Sequence, residues 1–205
     1  SRIRSKNNSI GKRIMADGTL KVGTITTSSG SGTITLGQSG ETVDMANGTI
    51  TLNSDMKSTP AFEAYLSANA NINDDAIVKI ASNTEVFDTD SCYDNSSNYR
   101  FTPTTAGKYF VYARATFDTS ANDLQMCAIF LYKNGSSIGV ARTNFDNQYG
   151  EGATPVINTV VDMNGSSDYL EAYAQGDSSS GGQIVLQGNT TIRLTNFGAY
   201  KLIGI

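Results

Sequence analysis

With 205 residues, 20 glycines, 17% charged residues and a net charge of −4, the chain is suited to strands and turns rather than long helices. It has no histidine, which excludes imidazole-activated serine or cysteine nucleophiles and the usual general base near neutral pH. No run of about 18 apolar residues is present to form a helical membrane span, so no membrane insertion is expected.

The first segment in chain order is a basic arm, residues 1–21. It holds Arg2, Arg4, Lys6, Lys12, Arg13 and Lys21 against one acid, Asp17, whereas from Phe62 onward eight basic residues face fifteen acidic ones. Such an arm attracts acidic surfaces. It has no interleaved aromatics and no recognised module, so nucleic acid is not an expected partner. Arg2, Arg4, Lys6, Lys12 and Arg13 are the candidate docking residues. The arm also lacks the apolar run of a signal peptide, so if nothing but an initiator Met was removed before Ser1 the protein is expected to be made and kept in a cytoplasm.

Residues 22–58 read as a stalk. All 18 aromatic residues lie at or after Phe62. In their place the stalk carries the phrase Gly-Thr-Ile-Thr three times, at residues 23–26, 32–35 and 48–51. Apolar residues alternate, as in Ile34 with Leu36, Val43 with Met45 and Ile50 with Leu52, the period of a half-buried strand. Nine apolar side chains between Leu20 and Leu52 bury too little to offset the cost of ordering that backbone. Several copies wound together bury each other's stripes, as repeat architectures do. The glycines have no period of three, which excludes collagen.

From residue 59 to 205 the strands carry larger side chains. Pro60 to Leu66 opens the segment, followed by Glu85-Val86-Phe87 and Tyr99-Arg100-Phe101. Long strands are expected from Lys108 to Ala115 and from Leu124 to Lys133. Asn134-Gly135 predicts a type I′ hairpin turn into Ser137 to Arg142. Pro155 to Met163 and Tyr169 to Ala174 read as a second hairpin through Asn164-Gly165, and Thr190 to Leu202 closes the chain. Eight to ten strands with regular turns predict an antiparallel β-sandwich. Cys92 and Cys127 are too few for a disulfide-stapled fold, and Cys127, in an apolar run, is expected as a buried free thiol.

Several pieces of this segment together resemble the C1q-like domain of the C1q and tumour-necrosis-factor superfamily. They are Pro60-Ala61-Phe62-x-Ala64, Phe87 before Tyr93-Asp94, Tyr99-Arg100-Phe101-Thr102-Pro103 leading to Gly107-x-Tyr109-Phe110, Leu131-x-Lys133-Asn134-Gly135, Leu170-Glu171-Ala172 before Gly176-Asp177, and Phe197-Gly198-x-Tyr200-x-Leu202. The resemblance implies an all-β jelly roll that forms homotrimers, with Phe62, Tyr65, Tyr109, Phe110, Phe197 and Tyr200 in the core or at the trimer interface. The chain departs from the family in lacking tryptophan. The stalk repeats look like low-complexity segments of structural proteins in marine tailed bacteriophages, and they stand where an animal C1q-like protein carries collagen.

No catalytic residue is expected. Gly135-Ser136-Ser137-Ile138-Gly139 fits the G-x-S-x-G spacing, but it follows a hairpin turn and has no histidine partner. Carboxylate pairs such as Asp146 with Glu151, or Asp118 with Asp123, lie in turn-rich loops and read as solvated acids rather than glycosidase pairs. Asp88, Asp90 and Asp94 are a candidate calcium cluster, by analogy with calcium held near the apex of some C1q-like trimers. The expected function is that of a trimeric virion-surface protein, a tail fibre or capsid fibre. Its arm docks on a phage capsid or tail protein, and its head meets a glycan or protein of the host surface. The alternative is an exported C1q-like binding module, which predicts an export signal.

Overall fold

A computed structural model describes residues 39, 40, 42, 51, 52, 56–146 and 148–203. The chain divides into two units at residues 50 and 51, and nearly all of the described residues belong to the second. The arm and most of the stalk expected at 22–58 lie outside the described residues.

Strand patterning organises the second unit. The first sheet runs β12 (Val156–Met163), β7 (Gly107–Arg114), β15 (Asn196–Lys201), β1 (Ala61–Tyr65) and β4 (Thr84–Asp88). The second runs β10 (Ser136–Asn144), β9 (Leu124–Lys133), β13 (Leu170–Ser178), β6 (Arg100–Phe101) and β5 (Tyr93–Asp94), with β3 (Ile77–Lys79) also paired to β13. A smaller sheet, β11 (Gly152–Ala153), β8 (Phe117–Asp118), β14 (Ile184–Leu186) and β2 (Ala70–Ile72), completes the unit. Every strand pairing is antiparallel.

Period-two alternation supplies one core between the two large sheets. In β7, Tyr109, Val111 and Ala113 are buried, while Lys108, Phe110, Tyr112 and Arg114 point the other way. Facing them from the second sheet are Cys127, Ile129 and Leu131 of β9, with Leu170, Ala172 and Ala174 of β13. An aromatic knot closes the end near β5 and β6. Phe62 stacks at 4.5 Å on both Tyr93 and Phe101 and meets Phe197 edge-on at 4.9 Å. Full burial of such a ring contributes about 1.5–3 kcal/mol by transfer alone, with pair geometry adding to it. Cys92 and Cys127 are both free and buried, and burial pushes the Cys127 thiol up to about 11.

The type I′ turn forms as expected: Asn134 and Gly135 have φ of 53° and 79°, and Ser136 pairs back to Lys133. The expected hairpin through Asn164-Gly165 does not form. β12 pairs with β7 in one sheet and β13 with β9 in the other, so residues 164–169 cross between layers. Side chains hold that crossing. Asn164 Oδ1 accepts from the amides of Ser166, Ser167 and Asp168, while the Asp168 carboxylate takes Asn164 N at 2.9 Å, Asn134 Nδ2 at 2.8 Å and Lys133 Nζ at 2.8 Å. Gly165, at φ 70°, lies so close to the backbone of Thr105 and Ala106 that a Cβ has no room.

Two further boundaries differ from expectation. Tyr99 has a φ of 50°, so strand geometry begins at Arg100. The last strand starts only at Asn196, because Asn189 Oδ1 accepts from the amides of Thr191 and Ile192 and turns the chain there.

Candidate assembly face

The outer face of the five-stranded sheet exposes several large apolar side chains. Cross-strand partners share a face, and the register builds two rows. One runs Val160, Phe110, Tyr200. The next runs Asn158, Tyr112, Gly198, Glu63, Phe87. Val156 and Val160 are 55% and 50% exposed, Phe87 44% and Tyr200 39%. The Phe110 and Tyr200 rings lie 5.5 Å apart, and Phe110 and Tyr112 6.3 Å apart.

A polar network sits in the middle of this face. The Tyr112 hydroxyl donates to Glu63 Oε2 at 2.8 Å, and Arg193 Nη1 reaches Glu63 Oε1 at 2.9 Å. Gly198 makes this possible, because the Tyr112 ring lies across its Cα where any side chain would collide. Burial raises the Tyr112 phenol above its usual range, and the bond to Glu63 adds to the rise. Lys108 and Asp162 form an ion pair at 2.6 Å on the rim.

The predicted site residues fall into three groups. Phe62, Tyr109 and Phe197 lie inside the core of the single chain. Phe110 and Tyr200 meet on the outer face, and Tyr65 is half-buried at the end of β1, opposite Asn196 and Thr84. Arg2, Arg4, Lys6, Lys12 and Arg13 lie outside the described residues. Sequence reading missed Glu63, Tyr112, Phe87, Val156 and Val160. The alternation Val156-x-Asn158-x-Val160 was visible, but which of its two faces meets solvent depends on the partner sheet.

The acids of the candidate calcium cluster bond within their own loop. Asp94 spends both oxygens on its own turn, with Ser96 N and Ser97 N on Oδ1 and Asn98 N on Oδ2 at 2.9–3.0 Å. Asp88 Oδ2 takes Tyr93 N at 2.8 Å and Asp90 Oδ2 takes the Thr89 hydroxyl at 2.8 Å. Asp88 Oδ1 is buried without a partner, but one oxygen does not make the six-to-eight-oxygen shell of calcium. No three His, Cys, Asp or Glu among the described residues group to hold a metal. Two of the four loop acids, Asp118 and Asp123, are spent in the same way. Asp118 takes Gln187 Nε2 at 2.6 Å, and Asp123 takes the hydroxyls of Ser178 and Ser180. Gly135 to Gly139 lies in the hairpin between β9 and β10, where no strand-to-helix elbow exists.

No family model and no curated protein matches the sequence. Among solved structures, the chain is similar to the Eiger TNF of S. frugiperda, at 10% identity and a TM-score of 0.50 over 71% of this chain and 93% of that one. It is similar to murine APRIL at pH 8.0, at 10% identity and a TM-score of 0.50 over 69% and 98% of the two chains. For the globular domain of zebrafish complement 1qA the identity is 10% and the TM-score 0.48, over 70% and 98%. At such identity the likeness is one of fold alone, an antiparallel jelly roll similar to those of the Eiger TNF and APRIL structures.

Proposed function

We propose that this protein is a non-enzymatic, homotrimeric structural protein of a tailed-phage virion, a tail fibre or capsid fibre. Residues 1–21 anchor it to a capsid or tail protein, residues 22–58 form a stalk of wound copies, and the jelly-roll head of residues 59–205 meets the host surface. One observation carries the assembly part: the exposed outer face bearing Phe87, Phe110, Val156, Val160 and Tyr200. Exposed apolar residues grouped around a hydrogen-bonded Glu63, with an ion pair at the rim, supply the mix of apolar and polar groups of a protein interface. The number three follows from the C1q and tumour-necrosis-factor resemblance, and it supplies the neighbours that the stalk repeats need. The virion setting rests on those repeats and on the basic arm. Three heads on one stalk give avidity, so weak contacts at each head suffice to hold a cell.

Light scattering of the full chain, and of a chain beginning at Thr59, tests this reading. Both are expected to be trimers, and the shorter one is expected to fail to join phage particles. A monomeric full chain overturns the assembly, and a shorter chain that still joins particles overturns the anchor.

A further inference from the structure

The opposite layer carries a different feature. A cleft opens on the outer face of the six-stranded sheet, walled by Gln125, Arg142, Asn144, Asp146, Gln175 and Asp177 over the side chain of Met126. Register places them together: Arg142 and Gln175 both pair with Ala128, while Asn144 and Asp177 both pair with Met126. At one end, Gln175 Nε2 donates to Asp75 Oδ1 at 2.7 Å, which fixes that amide and leaves its oxygen open. The side chains of Arg142, Asn144, Asp146 and Asp177 have no hydrogen bond or ion pair among the described residues.

The chemistry of the cleft selects its occupant. Arg142 offers only donors, and Asp146 and Asp177 offer only acceptors. An anionic ligand is repelled by Asp75, Asp146 and Asp177, which outnumber Arg142 in the lining. A hydroxyl satisfies both, accepting from the guanidinium and donating to a carboxylate, and the amides of Gln125 and Asn144 serve either role. Beside the cleft lies an apolar platform. Tyr173, two residues before Gln175 on the same strand face and so about 7 Å away, lies against Tyr132 with ring centroids 4.2 Å apart. Met126, Ala128 and Phe130 are buried beneath. A pyranose presents this combination, a rim of hydroxyls around an apolar C–H face.

Position supports the same occupant. The cleft is at the start of β9. The other end of that strand, Lys133, donates to the Asp162 carbonyl, next to Met163, which pairs with Gly107. Pro60 and Leu202 lie at that same end, since Lys201 N bonds to the Pro60 carbonyl and Leu202 N to that of Lys108. The cleft is therefore remote from the point where the chain enters the head, and it faces away from the assembly surface. We infer that it is a saccharide site for a neutral, hydroxyl-rich sugar. Arg142 donates to the ring hydroxyls, Asp146 and Asp177 accept from them, and Tyr173 covers the C–H face. Only the source of the sugar, a host surface glycan, rests on the function proposed above.

The test is a methyl NMR titration of the full chain labelled at its five methionines, with the methyl glycosides of glucose, galactose, mannose and N-acetylglucosamine, and with glucuronate. The Met126 signal is expected to shift saturably with at least one neutral glycoside, and more weakly with glucuronate. Arg142→Ala and Asp177→Asn are each expected to weaken the binding by about tenfold or more, the loss of one charge-assisted hydrogen bond. A Met126 signal that no neutral glycoside moves overturns the inference without any variant, as does tighter binding of glucuronate or unchanged affinity in both variants. Trimerisation and attachment to particles are measured separately, so a trimer that binds no sugar refutes this site alone.

Discussion

Phe62 is the residue on which the head's aromatic knot turns, with no exposed surface and three ring neighbours drawn from both sheets. Phe62→Ala is expected to destabilise the head by about 3–5 kcal/mol, the range for emptying such a core site, read from denaturant unfolding. Asp168 holds the crossing between sheets, and its bonds to Lys133 and then Asn134 pull its carboxyl down to about 2. A depressed carboxyl stabilises the fold fully above the unfolded value near 4 and loses that contribution as pH falls through about 2. Asp168→Asn is therefore expected to lower the melting temperature at neutral pH, and its deficit against the unmodified protein is expected to close towards pH 2. A deficit that stays constant down to that pH assigns the effect to shape rather than charge. Phe62 was legible because an aromatic after Pro-Ala opens a family pattern. Asp168 was not, because nothing in Ser166-Ser167-Asp168 reveals that Lys133 and Asn134 come to meet it.

At the scale of the strand, alternation was readable and its sense was not. In β7 and β12 the odd positions, Tyr109, Val111, Ala113, Ile157 and Val161, turn inward. The even positions, Phe110, Tyr112, Val156 and Val160, form the outer face. On the assembly proposal, Val160→Asp leaves the isolated head folded, because the site is half exposed and surface changes shift stability by about 0.5 kcal/mol or less. It is expected to convert trimers to monomers in light scattering while the strand circular dichroism is kept. Unchanged trimers would place the interface elsewhere. The two-residue turn at Asn134-Gly135 was legible because its dihedrals are local. The expected hairpin at Asn164-Gly165 was wrong although it carries the same dipeptide. There the flanking strands pair with β7 and β9 rather than with each other, and a turn does not choose its strands' partners.

At the scale of the molecule, composition alone set a basic, aromatic-free beginning of the chain apart from a core-forming segment, the basis for the expected arm, stalk and head. It also ruled out histidine chemistry and predicted an all-β sandwich. These properties are sums or short-range patterns along the chain, and they need no knowledge of distant contacts. Tertiary structure decided the rest. It showed that Asp88, Asp90 and Asp94 each bond within their own loop, and that Phe110 and Tyr200 meet on an outer face while Tyr109 and Phe197 are enclosed. It also brought Arg142, Gln175 and Asp177 together in one cleft from strands more than thirty positions apart in sequence. Such sites depend on which strands become neighbours and in what register. That choice is made by burial of the whole core, so it cannot be read from any single segment.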